Sequence, residues 1–187
     1  QDLVDAVPEG GVLALAPGRY SGPVVVTKKL LLDGAGKAVI EGGGKGTVFT
    51  LETSDATLRG LTFTGSGDSH NTDDTCLNVR GHRNRIEDNR FTRGCDLTLI
   101  NSPDNLLRRN RFEDGRYGLH VVFSPRLRAD GNQLAHTDTG IVVLYSPQVQ
   151  LRGNHVAHAL GAGGDQGVGG ADQQLAALGG GAGHVGD

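Results

Sequence analysis

Ile86-Glu87-Asp88-Asn89-Arg90-Phe91 is answered by Leu107-Arg108-Arg109-Asn110-Arg111-Phe112. Gly131-Asn132-Gln133-Leu134 and Gly153-Asn154-His155-Val156 continue the series, so Asn89, Asn110, Asn132 and Asn154 stand 21, 22 and 22 residues apart. A second marker runs in step: Asn101-Ser102-Pro103, Phe123-Ser124-Pro125 and Tyr145-Ser146-Pro147. A third lies between them, the apolar alternations Leu97/Leu99, Leu119/Val121 and Ile141/Val143, again 22 apart. Three markers sharing one period define an internal repeat.

Each unit holds two or three alternating runs of three to five residues, broken by Gly, Asn-Arg or Ser-Pro. Alternation means strand. Leucine-rich repeats have a similar period, but need more leucines per unit and a return segment that is usually helical. Strands too short for hairpins, repeated in register, mean coils stacked at about 4.8 Å. The expected fold is therefore all-β, a right-handed single-stranded parallel β-helix with coils of about 22 residues. In such a coil, Asn89, Asn110, Asn132 and Asn154 read as a structural turn ladder: Asn tolerates the left-handed region, and stacked Asn side chains hydrogen-bond to one another. Further back, Thr57-Leu58-Arg59-Gly60-Leu61-Thr62-Phe63 matches the Ile86–Phe91 unit 28 residues earlier, the excess falling in a loop, Gly65–Asp74. Val24–Val26, Leu30–Leu32 and Val39-Ile40 read as earlier strands, with a turn at Gly34-Ala35-Gly36-Lys37. Residues 3–7 read as a short helix capping the open end, as a solenoid requires.

Composition agrees. Hydrophobic residues make up 36% and aromatics 4%, with no Met or Trp, which suits a narrow bore filled by Val, Leu, Ile and Phe rather than a thick core. A net charge of −3 with scattered basic residues gives no footing for nucleic acid. No apolar run approaches the roughly 20 residues that span a bilayer, and the start at Gln1 reads as a processed or truncated product. By strict alternation Cys76 and Cys95 fall on neighbouring coils but opposite faces, which favours free, partly buried thiols over a bridge. The β-helix domain is expected over 1–158 and a glycine-rich disordered tail over 159–187, with one helical turn at Gln173–Leu178. The positions one repeat beyond Ile141 and Val143 are Gly163 and Asp165, so the coil pattern is expected to stop, leaving an open edge, as in a truncated or frame-shifted chain.

Three stretches carry a resemblance: Leu32 to Thr47 (Leu-Asp-Gly-Ala-Gly-Lys-Ala-Val-Ile-Glu-Gly-Gly-Gly-Lys-Gly-Thr), Leu58-Arg59-Gly60-Leu61-Thr62, and the loop with Gly-Ser-Gly-Asp-Ser-His at 65–70. The strand Gly118-Leu119-His120-Val121-Val122-Phe123-Ser124 joins them. Over about residues 1–158 the chain resembles the NosD-type maturation family of nitrous oxide reductase. The resemblance implies a periplasmic binding and docking module without chemistry of its own. It would assist copper-centre assembly on an ABC-type transporter of permease and ATPase. Copper would come from a chaperone lipoprotein and pass towards the apo-reductase. Many carbohydrate-active β-helices share the glycine and Asn turns, so a polysaccharide lyase or hydrolase is the alternative. A ligand-free structural solenoid is a third reading.

The candidate site residues follow from position. Asp68, His70, Asp73 and Asp74 share a protruding polar loop, which suits metal binding or docking, though also a solvated Asx-type turn. The same carboxylates would serve Ca²⁺ in the carbohydrate reading. His120, between Leu119 and Val121, points outward, and His136 and His158, 22 apart, stack on neighbouring coils. His70, His120, His136 and His158 are the candidate copper ligands, since Cu(I) takes imidazole beside the softer Cys and Met. Arg108, Asp130 and Arg152 stack in alternating sign as a surface charge ladder, and no converging carboxylates of the kind a glycosidase needs are visible.

Overall fold

The computed structural model describes residues 1–67 and 74–157, together with the backbone of Leu175–Ala177 and His184–Val185. The chain winds as a right-handed parallel β-helix of about six turns with about 22 residues each. Three walls run the length of the solenoid. The first holds Val12–Ala14, the starts of Leu31–Glu41 and Thr57–Thr64, then Arg85–Glu87, Leu106–Arg108, Arg128–Asp130 and Gln150–Arg152. The second holds Gly18–Ser21, the ends of the same two long strands, then Arg90–Thr92, Arg111–Glu113, Gln133–Ala135 and His155–Ala157. The third is a separate sheet: Val24–Val26, Phe49–Leu51, Leu77–Val79, Leu97–Ile100, Tyr117–Val122 and Thr139–Leu144.

Parallel register places like on like. Leu32, Leu58, Ile86, Leu107, Ala129 and Leu151 form one inward column of the first wall. Ile40, Phe63, Phe91, Phe112 and Leu134 form that of the second. There the phenyl rings stack at 5.0 Å (Phe63–Phe91) and 4.6 Å (Phe91–Phe112). All three are fully buried, so these rings pack in one continuous file. At the open N-terminal end the one-turn helix Asp2–Ala6 lays Val4 over the bore. Gln1 clamps it by an amide pair to the Val25 backbone at 2.9 and 3.0 Å.

Corners separate the walls. Asn89, Asn110, Asn132 and Asn154 stack in the first of them. Each of the last three presents its Oδ1 to the backbone N–H and side-chain amide of the Asn one coil earlier, at 2.9–3.2 Å. The left-handed residue, however, is the one before: Asp88 (φ 54°), Arg109 (φ 51°), Gly131 (φ 65°) and Gly153 (φ 59°). Asn is not there for its backbone tolerance. Its side chain must turn inward to reach the next coil, so its neighbour takes the corner. Ser102, Ser124 and Ser146 play the same part after the third wall, with Ser–N–H bonds of 3.1 and 2.8 Å between coils.

Other expectations change. Gly34 to Lys37 does not end a strand; it is a bulge inside Leu31–Glu41, with left-handed Ala35 and Gly36. Cys76 and Cys95 are not free thiols on opposite faces; they form a disulfide, with Cα atoms 5.0 Å apart. Strict alternation fails there because both precede their strands, at a corner where Thr75, Cys76 and Leu77, and Cys95, Asp96 and Leu97, are buried consecutively. Finally, the coil pattern expected to stop after residue 158 has further strands: Leu175–Ala177 stacks on Ile141–Val143, and His184-Val185 pairs with Gln150-Leu151. The helical turn expected at Gln173–Leu178 is strand over Leu175–Ala177, and the rest of 159–187 apart from those two strands lies outside the described residues.

Candidate functional site on the third wall

Because side chains alternate along a strand, the third wall shows its outer face in columns. Val25, Thr50, Asn78, Thr98, His120 and Val142 form one of them. Between the first four and the neighbouring Thr47, Glu52, Arg80 and Ile100 lies a groove of about 420 Å³. Its lining combines three threonine hydroxyls and the Asn78 amide with the charged Glu52 and Arg80 and the apolar Val25 and Ile100. The Asn78 Oδ1 is buried and has no hydrogen-bond partner, an acceptor whose desolvation is uncompensated. Glu52 and Arg80 form a loose ion pair at 3.7 Å beside it.

Towards the C-terminal coils the face becomes aromatic and apolar. Tyr117 and His120 stack at 5.3 Å, with the Arg116 guanidinium 4.6 Å from the Tyr117 ring. Ile100, Val122 and Leu144 form the next outward column. Directly after it, Phe123 and Tyr145 stack at 5.0 Å with rings only 15° apart, each about half exposed (51% and 52%). Both hold left-handed backbones, φ 48° and 49°. The same corner is left-handed at Asn101 (φ 49°) one coil earlier, so the conformation belongs to the repeat, and what sets Phe123 and Tyr145 apart is the large exposed ring that each places there.

At the far edge of the same wall Asp96 is buried, and the loss of solvent pushes its carboxyl up to about 6, opposed by the Tyr117 N–H that it accepts at 3.2 Å and by the Arg116 charge. Asp138 reinforces the rise. The carboxyl thus positions the start of the Tyr117 strand.

Among the sequence candidates, His120 lies on this face as expected. His136 is elsewhere, at the corner after the second wall, exposed and left-handed, its Nδ1 3.5 Å from an Asp114 oxygen. Among the described residues no group of three or more His, Cys, Asp or Glu stands together as a metal site. Asp68, His70, Asp73 and His158 lie outside the described residues; Asp74 is described and half-buried. Arg108, Asp130 and Arg152 do stack, in a longer column Asp33, Arg59, Glu87, Arg108, Asp130, Arg152 that alternates in sign throughout. A parallel corner ladder pairs Arg83 with Asp55 and Arg126 with Asp104, holding both carboxyls below the usual range. These exposed pairs are scaffold.

Sequence reasoning missed Asn78, Tyr117, Phe123 and Tyr145. The signal was present for the last two: one position in the Ser-Pro series is aromatic twice running, and residues sharing a repeat position stack.

Residues 39–170, well over half of the chain, match the family described as right-handed beta helix region. The chain belongs to that family. No curated protein matches it.

Proposed function

We propose that the chain is a periplasmic docking solenoid for copper-centre maturation of nitrous oxide reductase. It would bind an ABC-type transporter of permease and ATPase, and assist copper passage from a chaperone lipoprotein towards the apo-reductase. The observation that carries a docking role is the exposed Phe123–Tyr145 ledge on an otherwise continuous sheet face. Paired aromatics at the edge of a flat apolar strip are the composition of a protein–protein hot spot. The family assignment of that partner rests on the resemblance of Leu32 to Thr47, Leu58 to Thr62 and the 65–70 loop. The test is co-purification with the transporter. A Phe123→Ala/Tyr145→Ala variant should bind more weakly by on the order of a hundredfold or more, at about 2 kcal/mol per lost anchor. Unchanged recovery would remove the ledge from the interface.

A specific observation favours a second reading, a carbohydrate-active solenoid: the groove sets three threonine hydroxyls and the Asn78 side chain beside the Glu52–Arg80 pair, a lining that suits a polyol chain. Retarded migration in a polysaccharide gel, lost in Asn78→Leu, would support that reading over docking.

A further inference from the structure

We propose that Cys76 and Cys95, once reduced, form a two-coordinate site for a single Cu(I) ion. The identity of the metal rests on the maturation reading; the site itself rests on geometry. The two cysteines lie on adjacent coils with Cα atoms 5.0 Å apart and their sulfurs facing each other, in an environment with no exposed surface. Thiolate is the softest donor the chain owns, since it has no Met, and soft ligands select Cu(I). Structural zinc takes four ligands. Among the described residues no third or fourth His, Cys, Asp or Glu joins such a cluster. Two facing sulfurs therefore suit an ion content with two soft donors. Neither described histidine candidate competes, as His120 lies on the outer face and His136 beside Asp114.

The stretch of exposed chain next to the pair is the corner before Cys95. Arg93 and Gly94 are exposed and left-handed there, φ 58° and 80°. A Cβ at Gly94 would meet nothing within 4 Å, and the Gly94 carbonyl accepts the Ser66 hydroxyl at 3.4 Å. The next coil also passes the corner with a glycine, Gly115, whose Cβ would lie 3.2 Å from the Cys95 carbonyl.

A dithiol reductant supplies two electrons and two protons, the S–S bond breaks, two thiols form, and the reductant leaves as its own disulfide. Cu(I) then binds both sulfurs, and both thiol protons pass to solvent. Copper does not change oxidation state. In the oxidised chain neither sulfur can become a thiolate, so the disulfide closes the site.

The experiment is an anaerobic Cu(I) titration of the full chain against a bathocuproine competitor, oxidised and after phosphine reduction, with circular dichroism at each step. The reduced wild type should take up one copper per chain, with thiolate-to-copper absorption in the ultraviolet. The oxidised chain and a Cys76→Ala/Cys95→Ala variant should lose that uptake, while His120→Ala should keep it. Equal uptake by oxidised and reduced chains overturns the site. So does a reduced chain that stays folded yet ignores copper, or one that loses its β signal on reduction and does not regain it with copper. Transporter co-purification is read separately, so failure of docking and failure of the site are distinguishable.

Discussion

Asp96 is the residue whose charge state should be felt in stability. Its carboxyl is raised to about 6 by burial, while an unfolded aspartate titrates near 3.9. Between about pH 4 and pH 6 the native chain therefore binds more protons than the unfolded one, and stability falls as pH rises through that window. Above it the penalty is constant, on the order of 2–3 kcal/mol. Asp96→Asn keeps an acceptor for the Tyr117 N–H and removes the ionisation. The variant should melt higher than wild type near pH 7.5, and the two should converge near pH 4. A gap in Tm that does not change with pH would show that the native carboxyl ionises freely. Nothing in the sequence separated Asp96 from the other acids, because its burial depends on a corner where three consecutive residues face inward. His120 was legible, since alternation alone turns it outward between Leu119 and Val121.

At the scale of the element, the coil corners are held by side chains rather than by turn backbone. Asn132 Oδ1 accepts from both the backbone and the side chain of Asn110, and its own Nδ2 donates to the Leu107 carbonyl at 3.1 Å. Asn132→Ala strands those groups in a dry corner, at roughly 1–3 kcal/mol for each one left unpaired. We expect a total loss of about 2–4 kcal/mol, read from urea unfolding. A loss below about 1 kcal/mol would mean water replaces the amide. The ladder was visible in sequence because its members recur at a fixed spacing. Which residue took the strained φ was not: Asp, Arg and Gly fill that place in turn, so no single residue type marks it. The same variety hid the Asp/Arg ladder at Asp55, Arg83, Asp104 and Arg126, whose pairing appears only once coils are stacked.

Across the whole molecule, each coil touches chiefly its neighbours, and stability is the sum of coil terms and interface terms. The Cys76–Cys95 bridge, closing a sequence separation of 19 between two such coils, should contribute about 3 kcal/mol by restricting the unfolded chain. Cys76→Ser/Cys95→Ser should lower the urea midpoint accordingly, and an unchanged midpoint would show that the bridge constrains nothing the stacked sheets do not already constrain. The sequence by itself determined the coil, its period of about 22, the Asn ladder and the capping helix, because each depends on local alternation and recurrence along the chain. Only the tertiary structure decided the disulfide, the groove around Asn78, the Phe123–Tyr145 ledge and the pairing of Leu175–Ala177 with Ile141–Val143. Those features arise between coils and at corners. There strict alternation lapses, and neighbours in space lie some 19 to 34 residues apart in the chain.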